Sequence, residues 1–298
     1  MFDPQKRALI RSGKYEAKSR TCLSDSDLIE LWAQWTFNFA FETNVYEAVE
    51  SKRIYVPTYL SIGSEHIPVC LRKIFPAPNI FAQHRAHSYF LSFGGSPERL
   101  RDELLGRPTG CTGGRGGSAS IHDKSIKMWG HSGLMGDQVP IAAGFALATN
   151  EVTIAVMGDA SAEEDYVITT FGYAKTKQLP MLFVCEDNDL SILTKVETRR
   201  SWSIADVAGS FGLESREISD DPLEILAVLD ELKNKLPALV NIHVARGVWH
   251  AGAGSDGLPE WNRKALFYKE SVQRGLQKQL DDVEAVQSHR AKQLWMES

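Results

Sequence analysis

Residues 152–188 decide the fold of this chain, and they read VTIAVMGDASAEEDYVITTFGYAKTKQLPMLFVCEDN. An apolar strand over 152–157 ends in the turn Gly158-Asp159-Ala160, and a helix over 161–177 leads to a second strand over 181–186. Two strands joined by one helix form a right-handed parallel unit, so the carboxyl ends of both strands lie at one edge of a sheet. We therefore expect Asp159 and Asn188 to lie close together at that edge.

The side chains at this edge suit a metal ion that carries a phosphate. The Asp159 carboxylate and the Asn188 amide oxygen are hard oxygen ligands, which Mg²⁺ prefers while it keeps coordination positions for phosphate oxygens. The turn beside Asp159 has no large side chain, so its N–H groups and the following helix N-terminus can meet a phosphate. The stretch therefore predicts a site for Mg²⁺ and a diphosphate.

Composition and charge are those of an ordinary globular protein. The 298 residues are 43% hydrophobic, and a net charge of −5 gives no electrostatic reason to expect nucleic acid or an anionic membrane as partner. No apolar run approaches the roughly 20 residues of a membrane-spanning helix, and the first residues have no secretory apolar segment. The cysteines lack CxxC spacing, so we expect buried, reduced thiols in a cytoplasmic protein; they are Cys22, Cys70, Cys111 and Cys185.

Apolar strands alternate with amphipathic helices, which predicts an α/β fold, a doubly wound parallel sheet with helices on both faces. The expected strands are 79–82, 152–157, 181–186, 215–218 and 238–245. The expected helices are 25–56, 64–75, 86–94, 97–106, 138–150, 161–177, 203–211 and 222–234, and a helix or helix pair in 264–297. We expect a single domain with a helical N-terminal extension over 1–60, an α/β core over 61–257 and a helical C-terminal tail over 258–298.

Several motifs in this framework resemble the alpha subunit of the E1 component of 2-oxoacid dehydrogenases, a family of thiamine diphosphate enzymes. In chain order they are Ser61–Glu65, Asn79–His87, Gly113–Ser118, Gly133–Gly144 and the stretch 152–188 with its Leu179-Pro180 and its Cys-Glu-x-Asn ending. One such fragment would be weak evidence, whereas five in the family's order are strong. The resemblance implies the fold predicted above, in its diphosphate-binding form.

The turn Gly-Asp-Ala departs from the family's Gly-Asp-Gly. Because Ala160 carries a Cβ, the turn must avoid the positive φ that glycine takes freely. The resemblance still implies that Mg²⁺ is bound by Asp159, the Asn188 side chain and the Leu190 carbonyl.

The resemblance also implies contacts to thiamine diphosphate. Arg85 would bind the diphosphate, Met135 would lie under the thiamine, and His87 and His250 are the candidate catalytic residues. The full expected set of cofactor contacts is His84, Arg85, Gly133, Met135, Gly158, Asp159, Ala160, Ser161, Asn188, Leu190 and His250.

Plainer interpretations exist for several of these residues. Arg85 could form a surface ion pair, and His84 and His87 could be ordinary hydrogen-bonded histidines at a helix start. Met135 could simply fill the core. The acidic run 163–165 replaces uncharged family residues, and we interpret it as a solvated helix start that is favoured by the helix dipole.

Two glycine-rich segments need separate interpretations. The run from Gly114 formally satisfies the dinucleotide pattern GxGxxG/A, but no strand precedes it, so we interpret it as a flexible loop at a subunit contact. The segment 246–257 is typical of a mobile active-site loop, although it has one histidine, His250, where the family has two. The alternative is that Trp249 and His250 only cap the preceding strand.

The resemblance implies half of an enzyme. In this family a beta-type partner supplies the glutamate that activates thiamine, so we expect an α2β2 heterotetramer that cleaves the C–C bond next to a 2-oxo group and transfers the acyl or aldehyde fragment. The acceptor could be a lipoyl E2 protein, or another carbonyl compound in a transketolase or acyloin type of ligation. Ala160 and the single loop histidine also leave open a non-catalytic regulatory subunit.

Two positions point to the substrate. Pyruvate-type members have a histidine where this chain has Tyr59, and a tyrosine where it has His84. We therefore expect a larger or hydroxylated 2-oxo compound in place of pyruvate.

Overall fold

A six-stranded, all-parallel sheet with the strand order β2-β1-β3-β4-β8-β7 forms the centre of the molecule. The computed structural model describes residues 9, 15, 17, 19–130, 133–251 and 262–296. The sheet strands are β1 (Asn79–Phe81), β2 (Met128–Trp129), β3 (Thr153–Gly158), β4 (Met181–Asp187), β7 (Glu214–Ser219) and β8 (Ala238–His243). A separate antiparallel hairpin consists of β5 (Leu190–Ser191) and β6 (Thr194–Lys195).

The helices follow the predicted order. They are α1 (Asp25–Glu50), α2 (Ile67–Ile74), α3 (His87–Ser92), α4 (Pro97–Leu104), α5 (Gln138–Thr149), α6 (Asp165–Lys177), α7 (Val196–Arg199), α8 (Ile204–Ser210), α9 (Pro222–Leu232), α10 (Arg263–Val272) and α11 (Gln277–Met296), with 3₁₀ turns at Lys124–Ile126 and Ser161–Glu163. The predicted helix 25–56 ends earlier, at Glu50, and the segment 264–297 is a helix pair. Strand β2, the hairpin and α7 were missed because elements of two to four residues show no periodicity.

The two faces of the sheet carry separate hydrophobic clusters. Ile154 and Val156 of β3 pack into one cluster, and Ala155 and Met157 pack into the other, as the alternation of side chains along a strand requires. Helices α1, α3 and α9 contribute to the first cluster, and α5, α6 and α8 to the second. The prediction of a doubly wound parallel sheet is confirmed.

The helical segments at both ends of the chain pack onto the first face. Trp32 of α1 stacks on Phe267 of α10 at 6.1 Å, and its Nε1 donates to the Leu280 carbonyl of α11 at 3.2 Å. These residues belong to the same cluster as Val240 of β8. The division into extension, core and tail stays a prediction.

The strand order creates a crevice between β1 and β3. The chain leaves β1 toward the β2 side and leaves β3 toward the β4 side, and α3 and α6 cover opposite faces. In doubly wound sheets ligands bind at the carboxyl ends of the strands where the order reverses. The residues after β1 and after β3 are thereby placed together.

No helix in the described part of the chain is both long and apolar enough for a membrane span. The four cysteines are free thiols, as expected. Cys70 and Cys185 are buried, whereas Cys22 is exposed and Cys111 is partly exposed, so the expectation of burial is correct for two of them.

A buried carboxylate organises the glycine-rich run. Glu103 Oε2 accepts the N–H groups of Thr112 (2.7 Å) and Gly114 (2.9 Å), and Oε1 accepts those of Gly116 (2.7 Å) and Gly117 (3.1 Å). Gly114 has φ +74°, and a Cβ there would lie 2.6 Å from a backbone oxygen. The expectation of a flexible loop is therefore wrong, because a fixed charge satisfies successive backbone donors.

Glu103→Gln should lower the free energy of unfolding by about 2–3 kcal/mol at pH 7, because charge-assisted hydrogen bonds are lost. Burial works to raise the pKa of the Glu103 carboxyl, but the hydrogen bonds from Thr112 and the glycines outweigh it and hold that pKa below its ordinary value. This stability is present above the unfolded pKa and is lost as pH falls through the folded one. Urea unfolding at pH 7 and pH 4 should therefore show a smaller difference at pH 4. Glu47→Gln, at an exposed position of α1, is the control and should change little; equal effects of both variants would contradict the prediction.

Candidate cofactor site

Strand β3 delivers a buried carboxylate to the carboxyl edge of the sheet. Asp159 follows β3 directly and is 2% exposed. Ala160 has φ −75° and ψ −39°, so the turn uses right-handed backbone and needs no glycine there, as expected. Ser161 is buried and begins the 3₁₀ turn that leads to α6.

Strand β4 brings two polar residues beside that carboxylate. Gly158 pairs with Glu186 in the parallel register. The next residues on the two strands, Asp159 and Asp187, therefore lie side by side at the edge of the sheet. Asn188 comes next, and its Oδ1 accepts the Leu190 N–H at 3.0 Å. The edge predicted from the sequence is formed, but the fully buried Asp187 was overlooked. Its position next to Asn188 at the strand end was the available signal.

Acidic and basic groups alternate around Asp159. Burial, and then the negative charge of Asp187, raise the pKa of Asp159 to about 6. Arg199 of α7 forms an ion pair with Asp159, and Arg200 donates to the Asp159 carbonyl at 3.0 Å. Glu163 lies 3.2 Å from Arg199 and 3.3 Å from Arg200. The interpretation of 163–165 as a solvated helix start is therefore wrong for Glu163, and no periodic pattern indicated either arginine.

The donor set at this edge fits a magnesium ion. Within the described ranges no group of three His, Cys, Asp or Glu side chains forms a metal site. The set predicted from the sequence contains one carboxylate, one amide oxygen and one carbonyl, from Asp159, Asn188 and Leu190, and Mg²⁺ needs no more protein ligands when phosphate and water complete the octahedron. Burial, and after it the negative charge of Asp187, raise the pKa of Asp159, and a divalent cation bound there would offset both effects.

A cavity of about 150 Å³ opens next to this edge. Five residues predicted to contact the cofactor line it, namely His84, Gly133, Met135, Ser161 and His250. The other lining residues are Tyr59, Gln83, Ala119, Leu134, Gly136 and Gln138. They come from the segments after α1, β1, β2, β3 and β8 and from the end of the glycine-rich run, so the fold gathers distant parts of the sequence around one cavity.

Three rings form one side of the cavity. The Tyr59 and His84 ring centroids are 4.7 Å apart, Tyr59 and His250 are 5.6 Å apart, and His84 and His250 are 6.0 Å apart, all in edge-on geometry. Tyr59 and His84 are the two positions at which the chain exchanges tyrosine and histidine relative to pyruvate-type members. Their contact means that the exchange changes one local surface.

Arg85 is buried and donates to the backbone of two segments that contribute to the cavity. Its Nη1 donates to the Leu60 carbonyl at 2.7 Å, and its Nη2 donates to the His250 carbonyl at 3.2 Å. The alternative of a surface ion pair is therefore wrong. A contact from Arg85 to a diphosphate stays a prediction.

His87 lies behind the cavity wall. It is fully buried, with Nδ1 2.9 Å from Glu42 Oε1 and Nε2 2.8 Å from Ser118 Oγ, and it does not line the cavity. The sequence interpretation as a hydrogen-bonded histidine at a helix start describes this geometry. A role in direct contact with substrate has no support from it.

Two further buried carboxyls lie under the edge. Burial raises the pKa of both Glu65 and Glu186 to about 7. Trp35 Nε1 donates to Glu65 at 3.1 Å, and the Tyr89 hydroxyl donates to Glu186 at 2.7 Å.

The segment 246–257 is only partly described, since residues 252–261 lie outside the described residues. Strand β8 ends at His243, so Trp249 and His250 do not cap it. Trp249 is buried and its Nε1 donates to the Thr58 carbonyl at 3.0 Å, which holds His250 against the cavity.

Comparisons with known proteins give the family of the chain. The family model of the dehydrogenase E1 component matches residues 39–234. Pyruvate dehydrogenase E1 component subunit alpha of Dictyostelium discoideum (mitochondrial) is 32% identical over 174 residues, which cover 56% of this chain and 46% of that protein. The protein of the same name from Rickettsia bellii is 32% identical over 149 residues, 47% of this chain and 45% of that one.

Other relatives are matched over a smaller share. The human somatic, mitochondrial form is 34% identical over 129 residues, 42% of this chain and 33% of that protein. This chain thus spans about half of the length of the relatives it matches, or less.

A crystal structure of a transketolase variant from Pichia stipitis superimposes with a TM-score of 0.53 at 16% identity. It covers 90% of this chain and 48% of that one, and at this identity it shows the fold alone. The family model spans most of the chain, and the relatives are alpha subunits of an E1 component. The chain therefore belongs to the dehydrogenase E1 component family, as an alpha-subunit relative, and that family implies thiamine diphosphate as its cofactor.

Proposed function

We propose that this chain is the alpha subunit of a thiamine diphosphate- and Mg²⁺-dependent 2-oxoacid dehydrogenase E1 component. The enzyme would cleave the C–C bond next to a 2-oxo group and transfer the acyl or aldehyde fragment. The observation that carries the proposal is a convergence at the β1–β3 crevice. There the Asp159 and Asn188 edge lies beside a cavity walled by Tyr59, His84 and His250.

Each part of the crevice has a chemical task in this proposal. Asp159, Asn188 and the Leu190 carbonyl would hold Mg²⁺, and the N–H groups of the turn at Ser161 would meet the diphosphate. Bound thiamine diphosphate supplies a carbon nucleophile for the 2-oxo carbonyl.

The cavity residues would contact the substrate. The imidazole nitrogens of His84 and His250 would donate or accept hydrogen bonds to the substrate. Leu134 and Met135 would exclude water from the reacting atoms.

The site needs a partner in this proposal. A cavity of about 150 Å³ is smaller than the roughly 300–1,000 Å³ of complete small-molecule sites. Leu134 (60% exposed), Met135 (46%) and Ile141 (56%) present apolar surface at its mouth and along α5. Apolar surface of this kind is typical of an obligate interface. We propose that a beta-type subunit covers it in an α2β2 heterotetramer.

The same residues also bear on the two alternatives, a regulatory subunit and a different acceptor. A non-catalytic regulatory subunit is less favoured, because Ala160 leaves the turn intact and the oxygen ligands are present. Transfer to a lipoyl E2 protein is favoured over transketolase or acyloin ligation by the names of the relatives, which are E1 components. A chain encoded beside a lipoyl protein would support the first acceptor.

Asp159→Asn and Asn188→Ala should each weaken Mg²⁺-dependent binding of thiamine diphosphate to the reconstituted complex by more than about 100-fold, because even outer-shell partners of a metal are worth 10–100-fold. Isothermal calorimetry measures the affinity, and circular dichroism checks the fold. Glu197→Ala, which removes an exposed acid on α7, is the control and should bind normally. Unchanged affinity in both site variants would rule out this anchor.

The isolated chain should decarboxylate no 2-oxo acid, whereas the complex with its beta-type partner should turn over. The reason is that the partner completes the cavity and supplies the activating glutamate. The activity is measured as the 2-oxo acid-dependent reduction of an electron-accepting dye. Analytical ultracentrifugation verifies which assembly is present. Robust turnover by the chain alone would show that the active site is complete without a partner.

The complex should use pyruvate poorly relative to a larger or hydroxylated 2-oxo acid, because buried polar groups reject ligands that leave them unpaired. The double variant Tyr59→His/His84→Tyr should move the kcat/KM preference toward pyruvate by roughly 10-fold. Steady-state kinetics on a panel of 2-oxo acids gives the kcat/KM ratios. Ser92→Ala, a buried change away from the cavity, is the control. A wild-type complex with its highest kcat/KM for pyruvate would contradict the prediction.

A further inference from the structure

A line of hydrogen bonds runs from the middle of α1 to the cavity wall. Glu42 Oε1 contacts His87 Nδ1 at 2.9 Å, and His87 Nε2 contacts Ser118 Oγ at 2.8 Å. Ser118 Oγ in turn accepts the Tyr59 N–H at 2.9 Å. The Ser61 hydroxyl also donates to Glu42 Oε1, at 3.0 Å. Glu42, His87 and Ser118 are all buried.

The three side chains of this line belong to three different segments of the chain. Glu42 is on α1, His87 begins α3, and Ser118 ends the glycine-rich run that Glu103 organises. Each of the last two has a cavity residue close by in sequence. His84 is three positions before His87, and Ala119 follows Ser118. The line therefore connects three pieces of one wall.

The direction of the bonds follows from the chemistry of the members. A carboxylate can only accept, so His87 donates Nδ1–H to Glu42, and in the neutral imidazole Nε2 then accepts from the Ser118 hydroxyl. The remaining lone pair of Ser118 Oγ accepts the Tyr59 N–H. One set of protons thus satisfies all three bonds and fixes the imidazole orientation.

Stability alone gives little reason for this arrangement. Glu42 Oε2 is buried without a hydrogen-bond partner among the residues the structure describes. An apolar pair between α1 and α3 would avoid the desolvation of a carboxylate, and replacing buried ionic groups by apolar ones is often neutral or stabilising. What the carboxylate line provides is a fixed position for the Tyr59 backbone.

We propose that Glu42, His87 and Ser118 are positioning residues that set the place of Tyr59 against His84 and His250 and thereby determine which 2-oxo substrate the cavity accepts. The proposal rests on the proposed function for its substrate class. The effect is transmitted through Tyr59, since neither Glu42 nor His87 lines the cavity. In a cavity of about 150 Å³ a small displacement of one ring changes the room for a side chain.

Two substitutions at one position separate the two halves of the line. In His87→Asn the amide nitrogen can replace Nδ1, so the bond to Glu42 is kept and the bond to Ser118 is lost. In His87→Gln the amide can replace Nε2, so the bond to Ser118 is kept. Ser118→Ala removes the acceptor of the Tyr59 N–H with a smaller change of volume, and it replaces His87→Asn if that variant does not fold.

His87→Asn and Ser118→Ala should change the ratio of kcat/KM for a large 2-oxo acid over that for pyruvate by roughly 10-fold in the reconstituted complex, because small misplacements near reacting atoms have large effects. His87→Gln should restore most of the wild-type ratio. Thiamine diphosphate affinity, measured by calorimetry, should stay within about 3-fold of wild type in all of them, because the anchor at Asp159 is untouched.

Ser92→Ala is the matched control. The Ser92 hydroxyl accepts from Asn38 at 2.9 Å, a buried polar bond between the same helices α1 and α3 that does not reach Tyr59. It should leave the substrate ratio unchanged even where it lowers the melting temperature. A purely structural role for His87 would instead give variants that are less stable with the wild-type ratio, and that result would overturn the proposal.

A crystal structure of His87→Asn gives a test that needs no activity. The Tyr59–His84 centroid distance, 4.7 Å in the wild type, should change measurably in His87→Asn and stay the same in Ser92→Ala. An unchanged distance would overturn the positioning role. A wild-type complex that binds no thiamine diphosphate would overturn the proposed function, and the ring distance would then decide the positioning role by itself.

Discussion

The parallel pairing of β3 with β4 is the constraint on which the rest of the site depends. Its register sets Gly158 beside Glu186, so the next residues on both strands, Asp159 and Asp187, leave the sheet at the same level. Strand β1 pairs with the other side of β3 and brings the residues around His84 to the same edge. A shift of this register would separate the acidic edge from the ring cluster, because neither is held together by local sequence.

Buried charge at that edge determines the surrounding architecture. Burial of Asp159, and after it the charge of the neighbouring Asp187, raise the pKa of the Asp159 carboxyl. Arg199 and Arg200 reach this edge from a segment with no regular element longer than four residues, and Glu163 bridges them. A buried charge also orders the glycine-rich run, where the Glu103 carboxylate accepts hydrogen bonds from backbone N–H groups that the turns leave unpaired. Fixed charges thus order the irregular segments that the sheet edge requires.

The same edge explains why the site is one half of a larger one in our proposal. In that proposal the carboxyl edge of the sheet would supply the metal ligands. Three rings form one wall of the cavity, and apolar residues of α5 and of the segment before it are exposed. The wall itself is supported from behind by Glu42, His87 and Ser118, which never reach the cavity. Specificity can therefore be set by residues two contacts away from the substrate, and a partner subunit need only close the open side.

The strand–helix–strand unit over 152–188, the doubly wound parallel fold and the position of Asp159 and Asn188 at one edge could all be predicted from the sequence. Those features follow from local periodicity and from turn chemistry, which act over one or two neighbouring elements. Three contacts could not be predicted and are seen only in the folded chain. Arg199 and Arg200 lie beside Asp187 at that edge, Tyr59 contacts His84, and His87 lies behind the cavity wall. Each of these contacts joins residues that no spacing rule relates, because their proximity results from strand order and from the packing of helices on the two faces.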